Sequence, residues 1–272
     1  MAGRWTSGRQ RTDGRATALI YAISNQKGGV GKTTTAINLA ACLAHSGERV
    51  LLVDMDSQAN ASHGLGVYVS KGEPAVLEVL LGERDLASVV RPSAVARLDI
   101  APSSPDMAGA SVLLPALEKR EFRLKKAFAE AGISSLGYSF IFIDCPPSLG
   151  LLTVNALVAA DRVIIPVQTE YYALEGLAQL MSTIAAVKER LNPALKIAGL
   201  VLTMMDSRTT LARQVEQEIR THFPSLTYRT FVPRNVRLAE APSHGLPVSM
   251  VDPNCPGSDA YFDLALEVVD HG

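Results

Sequence analysis

The chain has 272 residues, of which 47% are hydrophobic, and a formal net charge of −1 at pH 7. That length is sufficient to bury one large core, and a charge so close to zero indicates no particular class of partner. The three cysteines, Cys42, Cys145 and Cys255, are scattered along the chain, which is typical of a reducing compartment and does not match the spacing of a metal site.

The N-terminal segment differs in composition from the rest of the chain. Residues 1–18 carry four arginines, from Arg4 to Arg15, against one aspartate, among glycine, serine and threonine. We therefore expect a disordered basic arm, which either contacts nucleic acid or is simply solvated. The segment lacks the layout of a signal peptide, and no apolar run in the chain reaches the roughly 18 residues of a membrane span. These features predict a cytoplasmic protein.

The first predicted strand leads into a glycine-rich loop. Residues 24–35 read Ser-Asn-Gln-Lys-Gly-Gly-Val-Gly-Lys-Thr-Thr-Thr and follow an apolar run at 19–23. Glycines in such a loop let successive backbone N–H groups point at a polyphosphate, while Lys32 supplies a positive charge and Thr33 a hydroxyl ligand for magnesium. A helix predicted to begin near Lys32 adds the positive end of its dipole.

This phosphate-binding loop departs from the usual pattern. Gln26 stands where the ordinary loop has its first glycine, and a second lysine, Lys27, follows it. The spacing to the Lys-Thr pair, the preceding strand and the following helix nevertheless all agree with a nucleotide-binding loop. The nucleotide-binding residues predicted from this pattern are Gly28, Gly29, Val30, Gly31, Lys32, Thr33 and Thr34.

Further along the chain, apolar runs end in carboxylates. Residues 50–53 precede Asp54 and Asp56, and residues 140–143 precede Asp144. Continuous apolar runs are typical of strands buried on both faces of a parallel sheet, and ligands bind at the carboxyl ends of such strands. We therefore expect Asp144 near the phosphate-binding loop, where it can hold magnesium through water.

Two more apolar runs, at 163–167 and 198–203, lack a terminal carboxylate, and amphipathic patterns over 107–131, 173–191 and 208–223 predict helices. Strands alternating with helices predict an α/β fold with a doubly wound, mostly parallel sheet covered by helices on both faces. Because no Pro/Gly/Ser-rich linker interrupts the alternation, we expect a single domain with a phosphate-binding loop over residues 19–272.

Five motifs together resemble the ParA/Soj chromosome-partitioning ATPases, which belong to the MinD/ParA group of ATPases with a deviant Walker A loop. The resemblance covers almost the whole chain from about residue 18, with Ser57 and Cys145 as minor departures. The motifs are Lys27-Gly-Gly-Val-Gly-Lys-Thr-Thr-Thr, Val53-Asp-Met-Asp-Ser-Gln-Ala-Asn, Ile143-Asp-Cys-Pro-Pro-Ser, Pro166-Val-Gln-Thr-Glu-Tyr-Tyr-Ala-Leu-Glu-Gly and Val232-Pro-Arg-Asn-Val-Arg-Leu-Ala-Glu-Ala-Pro-Ser.

The resemblance implies roles for individual residues in ATP hydrolysis. Lys32 would bind the ATP of its own subunit, and Lys27 would reach across a homodimer to the partner's ATP. Thr33 and, through water, Asp144 would hold Mg²⁺, and Asp56 would orient the attacking water. A lysine from a second subunit can neutralise transition-state charge as an arginine finger does. Catalysis is therefore expected to depend on Lys27, Lys32 and Asp56.

The resemblance also implies the surroundings of these residues. Pro233 and Asn235 would lie near adenine, and Asp54 would act through its neighbours rather than on ATP directly. The implied function is an ATP-dependent homodimer that binds double-stranded DNA without sequence preference and segregates a chromosome or plasmid. Its expected partner is a ParB-type DNA-binding protein that stimulates slow hydrolysis, and its expected location is the nucleoid. Contact with a replication initiator stays open.

The C-terminal third contains a local excess of positive charge. Between residues 207 and 239 six arginines stand against two glutamates. This predicts a DNA-binding surface, although a solvated helix with arginines in ion pairs has the same composition. The resemblance singles out Arg208 and Arg237 as contacts to DNA. The predicted DNA-binding residues are Arg208, Arg213, Arg220, Arg234 and Arg237.

Two other functions of related ATPases are disfavoured by the sequence. A MinD-like ATPase at a membrane surface would need a basic amphipathic helix, whereas the segment 261–270 carries only acidic charge. An electron-transfer protein like the nitrogenase iron protein would need two cysteines per chain facing a dimer axis. The positions of Cys42, Cys145 and Cys255 do not favour that arrangement, and a colourless purified protein would exclude it.

Overall fold

The computed structural model describes residues 18–133, 136–170 and 173–270. The predicted basic arm therefore lies outside the described residues, except for Ala18, which is buried in the core and belongs to the folded part. The strands of the described residues are β1 (Leu19–Ile23), β2 (Val50–Asp54), β3 (Arg91–Pro92), β4 (Leu98–Ala101), β5 (Phe140–Asp144), β6 (Arg162–Gln168), β7 (Lys196–Met205) and β8 (Thr227–Pro233).

The strands form one eight-stranded sheet in the order β3-β4-β2-β5-β1-β6-β7-β8. Neighbouring strands are parallel except for the pair β3 and β4. Asp144 at the end of β5 is level with Ile23 of β1 on one side and with Asp54 of β2 on the other. The predicted fold class is confirmed, and the register brings the loops after β1, β2 and β5 to one edge of the sheet.

Side chains on the central strands alternate between two cores. On β2, Leu51 and Val53 belong to one buried cluster, and Val50 and Leu52 belong to the cluster on the opposite face. This alternation follows from the two-residue period of a strand. Because both faces must be covered, β2 is apolar from Val50 to Val53 rather than alternately polar.

Helices cover both faces of the sheet. Predicted helices over 173–191 and 208–223 agree with the structure to within two residues, and the second of them begins where Thr209 Oγ1 accepts a hydrogen bond from the Ala212 N–H. The α-helices of the described residues are α1 (Lys32–His45), α2 (Asn60–Gly64), α3 (Val76–Leu81), α4 (Leu86–Val89), α5 (Ala110–Leu113), α6 (Arg123–Glu130), α7 (Leu151–Ala159), α8 (Ala173–Arg190), α9 (Thr210–His222), α10 (Val236–Glu240), α11 (Val248–Val251) and α12 (Pro256–Asp270).

The prediction of one helix over residues 107–131 is wrong. The segment contains the short helices α5 and α6, separated by 3₁₀ turns and by an extended residue, Leu117. Pro115 has no backbone N–H to donate, so a continuous helix would lack a hydrogen bond at this position. Lys119 then adopts a left-handed conformation, with φ at +50°, that a continuous helix does not contain.

The C-terminal helix packs inside the fold. In α12, Tyr261, Leu264, Ala265 and Val268 are buried in the same core as α1. The apolar face that a membrane-surface helix would present is thus covered by this chain's own core. Among the described residues, none of the helices is long and apolar enough to cross a membrane.

Candidate functional site

The loop between β1 and α1 curls through glycines. Gly29 and Gly31 have φ angles of +73° and +84°, in the left-handed region that other residues rarely adopt. Space beside Gly28 and Gly29 is open, because a Cβ atom added at either position would have no neighbour within 4 Å. Helix α1 begins directly afterwards at Lys32, as predicted. The loop therefore places a concave backbone at a helix N-terminus, which is a favourable site for phosphate groups.

A threonine on a distant strand holds this loop in place. The buried Thr203 Oγ1 in β7 donates a hydrogen bond of 2.8 Å to the carbonyl oxygen of Val30. Its methyl carbon also lies 3.7 Å from a Cβ position built on Gly31. The role of Thr203 was not predicted from the sequence, although a polar residue ending the apolar run 198–203 was a signal that it lies at the ligand edge of the sheet.

Lys32 lies inside the loop. Its side chain is largely buried, with 6% of the residue exposed, and Nζ donates a hydrogen bond of 3.0 Å to the carbonyl oxygen of Lys27. Burial lowers the pKa of the Lys32 ammonium, while the charges of Asp144 and Asp56 raise it. The structure therefore brings these three predicted residues within electrostatic reach of one another. An ammonium group in such an enclosed site is suited to an anionic ligand.

Thr33 and Asp144 are joined directly. The Thr33 hydroxyl donates a hydrogen bond of 2.7 Å to Oδ2 of Asp144, and Asp144 is fully buried at the end of β5. Its second oxygen, Oδ1, has no hydrogen-bond partner within the described part of the chain. Burial and the nearby charge of Asp54 raise the pKa of Asp144 well above its usual range. A divalent cation would offset this cost, so the pair fits the predicted magnesium site.

Asp54 organises the loop that carries Asp56. Its carboxylate accepts hydrogen bonds from the Asp56 N–H at 3.1 Å and from the N–H and hydroxyl of Ser62 at 2.9 and 2.7 Å. Burial raises the pKa of Asp54 to about 6, and these hydrogen bonds counteract part of that effect. Asp56 itself accepts a hydrogen bond from the Gln58 N–H at 3.0 Å. Asp54 thus contacts the loop backbone, as expected of a residue that acts through its neighbours.

The second lysine of the loop, Lys27, forms an ion pair outside the loop. Lys27 Nζ lies 2.8 Å from Oε2 of Glu170, in the segment between β6 and α8. Glu170 belongs to a motif that was recognised in the sequence, but no role was predicted for it. The ion pair could not be predicted from the sequence, because 143 residues separate its partners.

A cleft next to the phosphate-binding loop collects the residues predicted to lie near adenine. Pro233 and Asn235 line it together with Gly31 and Thr34, and its volume is about 320 Å³. Met204 also lines this cleft, in a left-handed backbone conformation with φ at +51°. A non-glycine residue in that region is uncommon and is found at sites that the surrounding structure constrains strongly.

The two arginines that the resemblance assigns to DNA are exposed and ion-paired. Arg208, whose side chain is 87% exposed, donates two hydrogen bonds of 2.8 Å to Asp206. These bonds lower the pKa of Asp206 to about 2. Arg237 pairs with Glu240 at 2.9 Å and Asp252 at 3.3 Å.

The other predicted arginines have different surroundings. Arg213 and Arg220 line a shared groove on α9, so they lie on the same side of this helix. Arg220, however, is half-buried and donates to Glu216 and to the carbonyl oxygens of Tyr228 and Arg229, so it ties α9 to β8. Arg234 is exposed on the rim of the cleft described above.

The local charge excess is smaller than the sequence window indicated. Asp206 and Glu240 lie immediately outside residues 207–239, yet each pairs with one of the six arginines in that window. With these two carboxylates included, six arginines stand against four acids. These two ion pairs therefore reduce the net positive charge of this surface.

The cysteines do not form a cluster. Cys42, Cys145 and Cys255 are each buried and unbridged. Across residues 18–133, 136–170 and 173–270 there is no group of three or more histidine, cysteine, aspartate or glutamate side chains that could hold a metal ion. This arrangement gives no support to the electron-transfer alternative.

The chain is similar in sequence to several proteins named Soj or ParA. A family model described as an AAA domain matches residues 18–197. The chain is 51% identical to the sporulation initiation inhibitor protein Soj of Bacillus subtilis, over 93% of this chain and 99% of that protein. It is 50% identical to the chromosome partitioning protein ParA of Myxococcus xanthus, over 92% and 87%. It is also 50% identical to the chromosome-partitioning ATPase Soj of Treponema pallidum, over 90% and 94%.

Solved structures with the same fold include nucleotide complexes. Cobyrinic acid a,c-diamide synthase of Mycobacterium smegmatis, with a bound ATP analogue and magnesium, aligns with a TM-score of 0.81 at 35% identity, over 93% of this chain and 95% of that one. The septum site-determining protein MinD of Pyrococcus horikoshii, complexed with Mg-ADP, aligns at 0.73 with 26% identity, over 92% and 96%. Together with the sequence relatives and the loop geometry, these matches show that the chain belongs to the Soj/ParA family of chromosome-partitioning proteins.

Proposed function

We propose that this chain is an ATPase switch that segregates a chromosome or plasmid. ATP closes a homodimer, the dimer binds double-stranded DNA of the nucleoid without sequence preference, and a ParB-type partner stimulates slow hydrolysis that releases it. In this proposal residues 19–272 form one ATPase domain. The observation that carries the proposal is the convergence of Lys32, Asp56 and the Thr33–Asp144 pair at one edge of the sheet.

Each part of this edge has a task in binding ATP. The backbone N–H groups of residues 28–31 bind the phosphates, and Lys32 neutralises their charge within the subunit. Pro233 and Asn235 contact adenine in the cleft beside Gly31, a placement that the shared lining supports. Because the cleft and the loop are continuous through Gly31 and Thr34, one nucleotide can occupy both.

The reaction requires positioning more than strong acid-base chemistry. Thr33 and, through water, Asp144 would hold Mg²⁺, which would supply positive charge to neutralise the phosphates. Asp56 orients the attacking water, and its loop is fixed by the hydrogen bond from its N–H to Asp54. Lys27 from the second subunit completes the charge stabilisation. Hydrolysis is therefore expected to be slow in a single subunit and faster in the dimer.

Replacing Lys27 with alanine should prevent ATP-dependent dimerisation while leaving ATP binding by each subunit. Lys27 Nζ is directed toward Glu170 rather than into its own phosphate-binding loop, so the subunit's own nucleotide site retains Lys32. Light scattering with ATP should show a monomer for the variant and a dimer for the wild type.

Lys125→Ala is a matched control, because Lys125 is an exposed lysine on α6 and has no proposed role in ATP binding. This control should dimerise like the wild type. A Lys27→Ala dimer as tight as the wild type would remove Lys27 from the interface.

Replacing Arg208 and Arg237 together with alanine should weaken DNA binding but not ATP-induced dimerisation. Two arginines per subunit give four lost phosphate contacts per dimer, so the slope of log affinity against log salt should become shallower by about 3 to 4. Filter binding of random-sequence duplex DNA at several salt concentrations measures this slope.

Arg190→Ala is the control for that experiment, because Arg190 is 77% exposed at the end of α8 and lies outside the predicted surface. Its salt slope should equal that of the wild type. If the double variant binds DNA as the wild type does, the DNA surface lies elsewhere, and the basic arm at residues 1–18 becomes the next segment to remove.

A further inference from the structure

The Lys27–Glu170 ion pair joins two loops at the nucleotide edge of the sheet. Lys27 lies in the phosphate-binding loop after β1, and Glu170 follows the neighbouring strand β6. Their charged atoms are 2.8 Å apart, with 35% and 47% of the two side chains exposed. Both groups therefore remain reachable from solvent, and a second subunit can compete for either of them.

The backbone on both sides of this pair is anchored. The Lys27 N–H donates to Oδ1 of Asn25 at 3.0 Å, and the Asn25 amide group donates to the Pro166 carbonyl oxygen at 2.7 Å. The Glu170 N–H donates to the Gln168 carbonyl oxygen at 2.8 Å. Both residues are thus tied to β6, so their side chains meet within a small range of positions.

Glu170 is oriented by a second contact. Its other carboxylate oxygen, Oε1, accepts a hydrogen bond from the Gln168 side-chain amide. The carboxylate is therefore held between a neutral donor and the Lys27 ammonium. Charge-assisted hydrogen bonds of this kind are stronger than neutral ones, and the fixed acceptor reduces the entropy cost of forming the pair.

We infer that Glu170 is the intramolecular counter-ion that holds Lys27 in the nucleotide-free monomer and that dimer formation must break this pair. The inference rests on the proposed function, in which Lys27 binds the partner subunit's ATP. A lysine held at 2.8 Å by its own chain exchanges a carboxylate for a phosphate when the dimer closes. Glu170 is in this sense a positioning residue that raises the threshold for dimerisation.

The expected size of the effect follows from the exposure of the pair. Partly exposed ion pairs change an equilibrium by about 1.4-fold to 5-fold. Each dimer breaks two such pairs, one in each subunit, so the dimer dissociation constant should change by the square of that factor, roughly 2-fold to 25-fold. Screening by salt should shrink the effect.

Glu170→Gln tests this inference, because it removes the charge and keeps the size of the side chain. The dimer dissociation constant is measured by analytical ultracentrifugation with a slowly hydrolysed ATP analogue at low and high salt. We expect tighter dimerisation of the variant at low salt, by the factor given above, and a smaller difference at high salt. Glu175→Gln, which removes an exposed carboxylate from the first turn of α8, is the matched control and should leave the constant unchanged.

Unchanged or weaker dimerisation of Glu170→Gln would overturn the inference, since a weaker dimer would mean that Glu170 contacts the partner subunit instead. Failure of the proposed function has a different signature, because Lys27→Ala would then dimerise like the wild type. The double variant Lys27→Ala with Glu170→Gln tests whether Glu170 affects dimerisation only through Lys27. If Glu170 acts through Lys27, the double variant should be as monomeric as Lys27→Ala alone.

Discussion

Replacing Lys32 with alanine should weaken ATP binding by up to about a hundredfold while preserving the fold. The Lys32 side chain is largely buried, its ammonium donates a hydrogen bond to the Lys27 carbonyl oxygen, and the charge of Asp144 acts on it. A charged group that hydrogen-bonds a ligand contributes roughly 1.5–3 kcal/mol, which corresponds to a loss of affinity of up to about a hundredfold. The unbound protein should not be destabilised strongly, because burial already disfavours the charged ammonium.

Thermal unfolding with and without ATP measures this effect. With free ATP at a hundred times the wild-type dissociation constant, ligand binding should stabilise the wild type by about 2.7 kcal/mol and a hundredfold weaker variant by about 0.4 kcal/mol. Without ATP, the Lys32→Ala and wild-type melting temperatures should be close to each other.

Lys27→Ala is the matched control for Lys32→Ala, because both variants remove one lysine from the same loop. Only Lys27 has its charged group directed out of the loop toward Glu170, so Lys27→Ala should retain ATP-induced stabilisation by its own subunit's site. Equal loss of stabilisation in both variants would contradict the assignment of separate roles to the two lysines.

Replacing Asp56 with alanine should stop ATP turnover without preventing ATP binding. Asp56 is nearly buried, and its charge acts on both Lys32 and Asp144, which places it in the proposed reaction site. Positioned groups that assist proton transfer or orient a nucleophile contribute about a hundredfold or more to the rate. Phosphate release in a single-turnover assay should therefore fall by at least about that factor, while ATP-induced thermal stabilisation persists.

Asp56→Asn separates the catalytic role from a structural one. The Asp56 carboxylate also accepts a hydrogen bond from the Gln58 N–H, which alanine cannot replace but asparagine can. If both variants lose turnover, the negative charge is required for the reaction. Hydrolysis by Asp56→Asn at the wild-type rate would show that Asp56 serves only to hold its loop.

Local sequence was sufficient to predict the elements around the nucleotide site. Glycines at 29 and 31 adopt left-handed backbone conformations, and the helix that follows begins at Lys32. Both features could be predicted because they depend on residues within a few positions of the loop. The apolar runs that end at Asp54 and Asp144 predicted buried parallel strands for the same reason. The prediction of one helix over 107–131 was wrong because it relied on the helical periodicity of the segment and did not consider that Pro115 interrupts a helix.

The tertiary structure alone decided which distant side chains meet. Thr203 bonds to Val30 across 173 residues, and Glu170 pairs with Lys27 across 143, distances over which hydrophobic periodicity carries no information. The strand order places these partners side by side at the carboxyl edge of the sheet. Arg208 and Arg237 were recognisable as exposed cations, but their carboxylate partners lay outside the arginine-rich window and became visible only with the loops in place. The sequence by itself thus determined the fold class and the phosphate-binding loop, because both arise from short-range patterns. The ion pairs and the contacts that anchor the loops join residues far apart in sequence, so they were decided only by the crossover connections that place distant strands next to each other in the sheet.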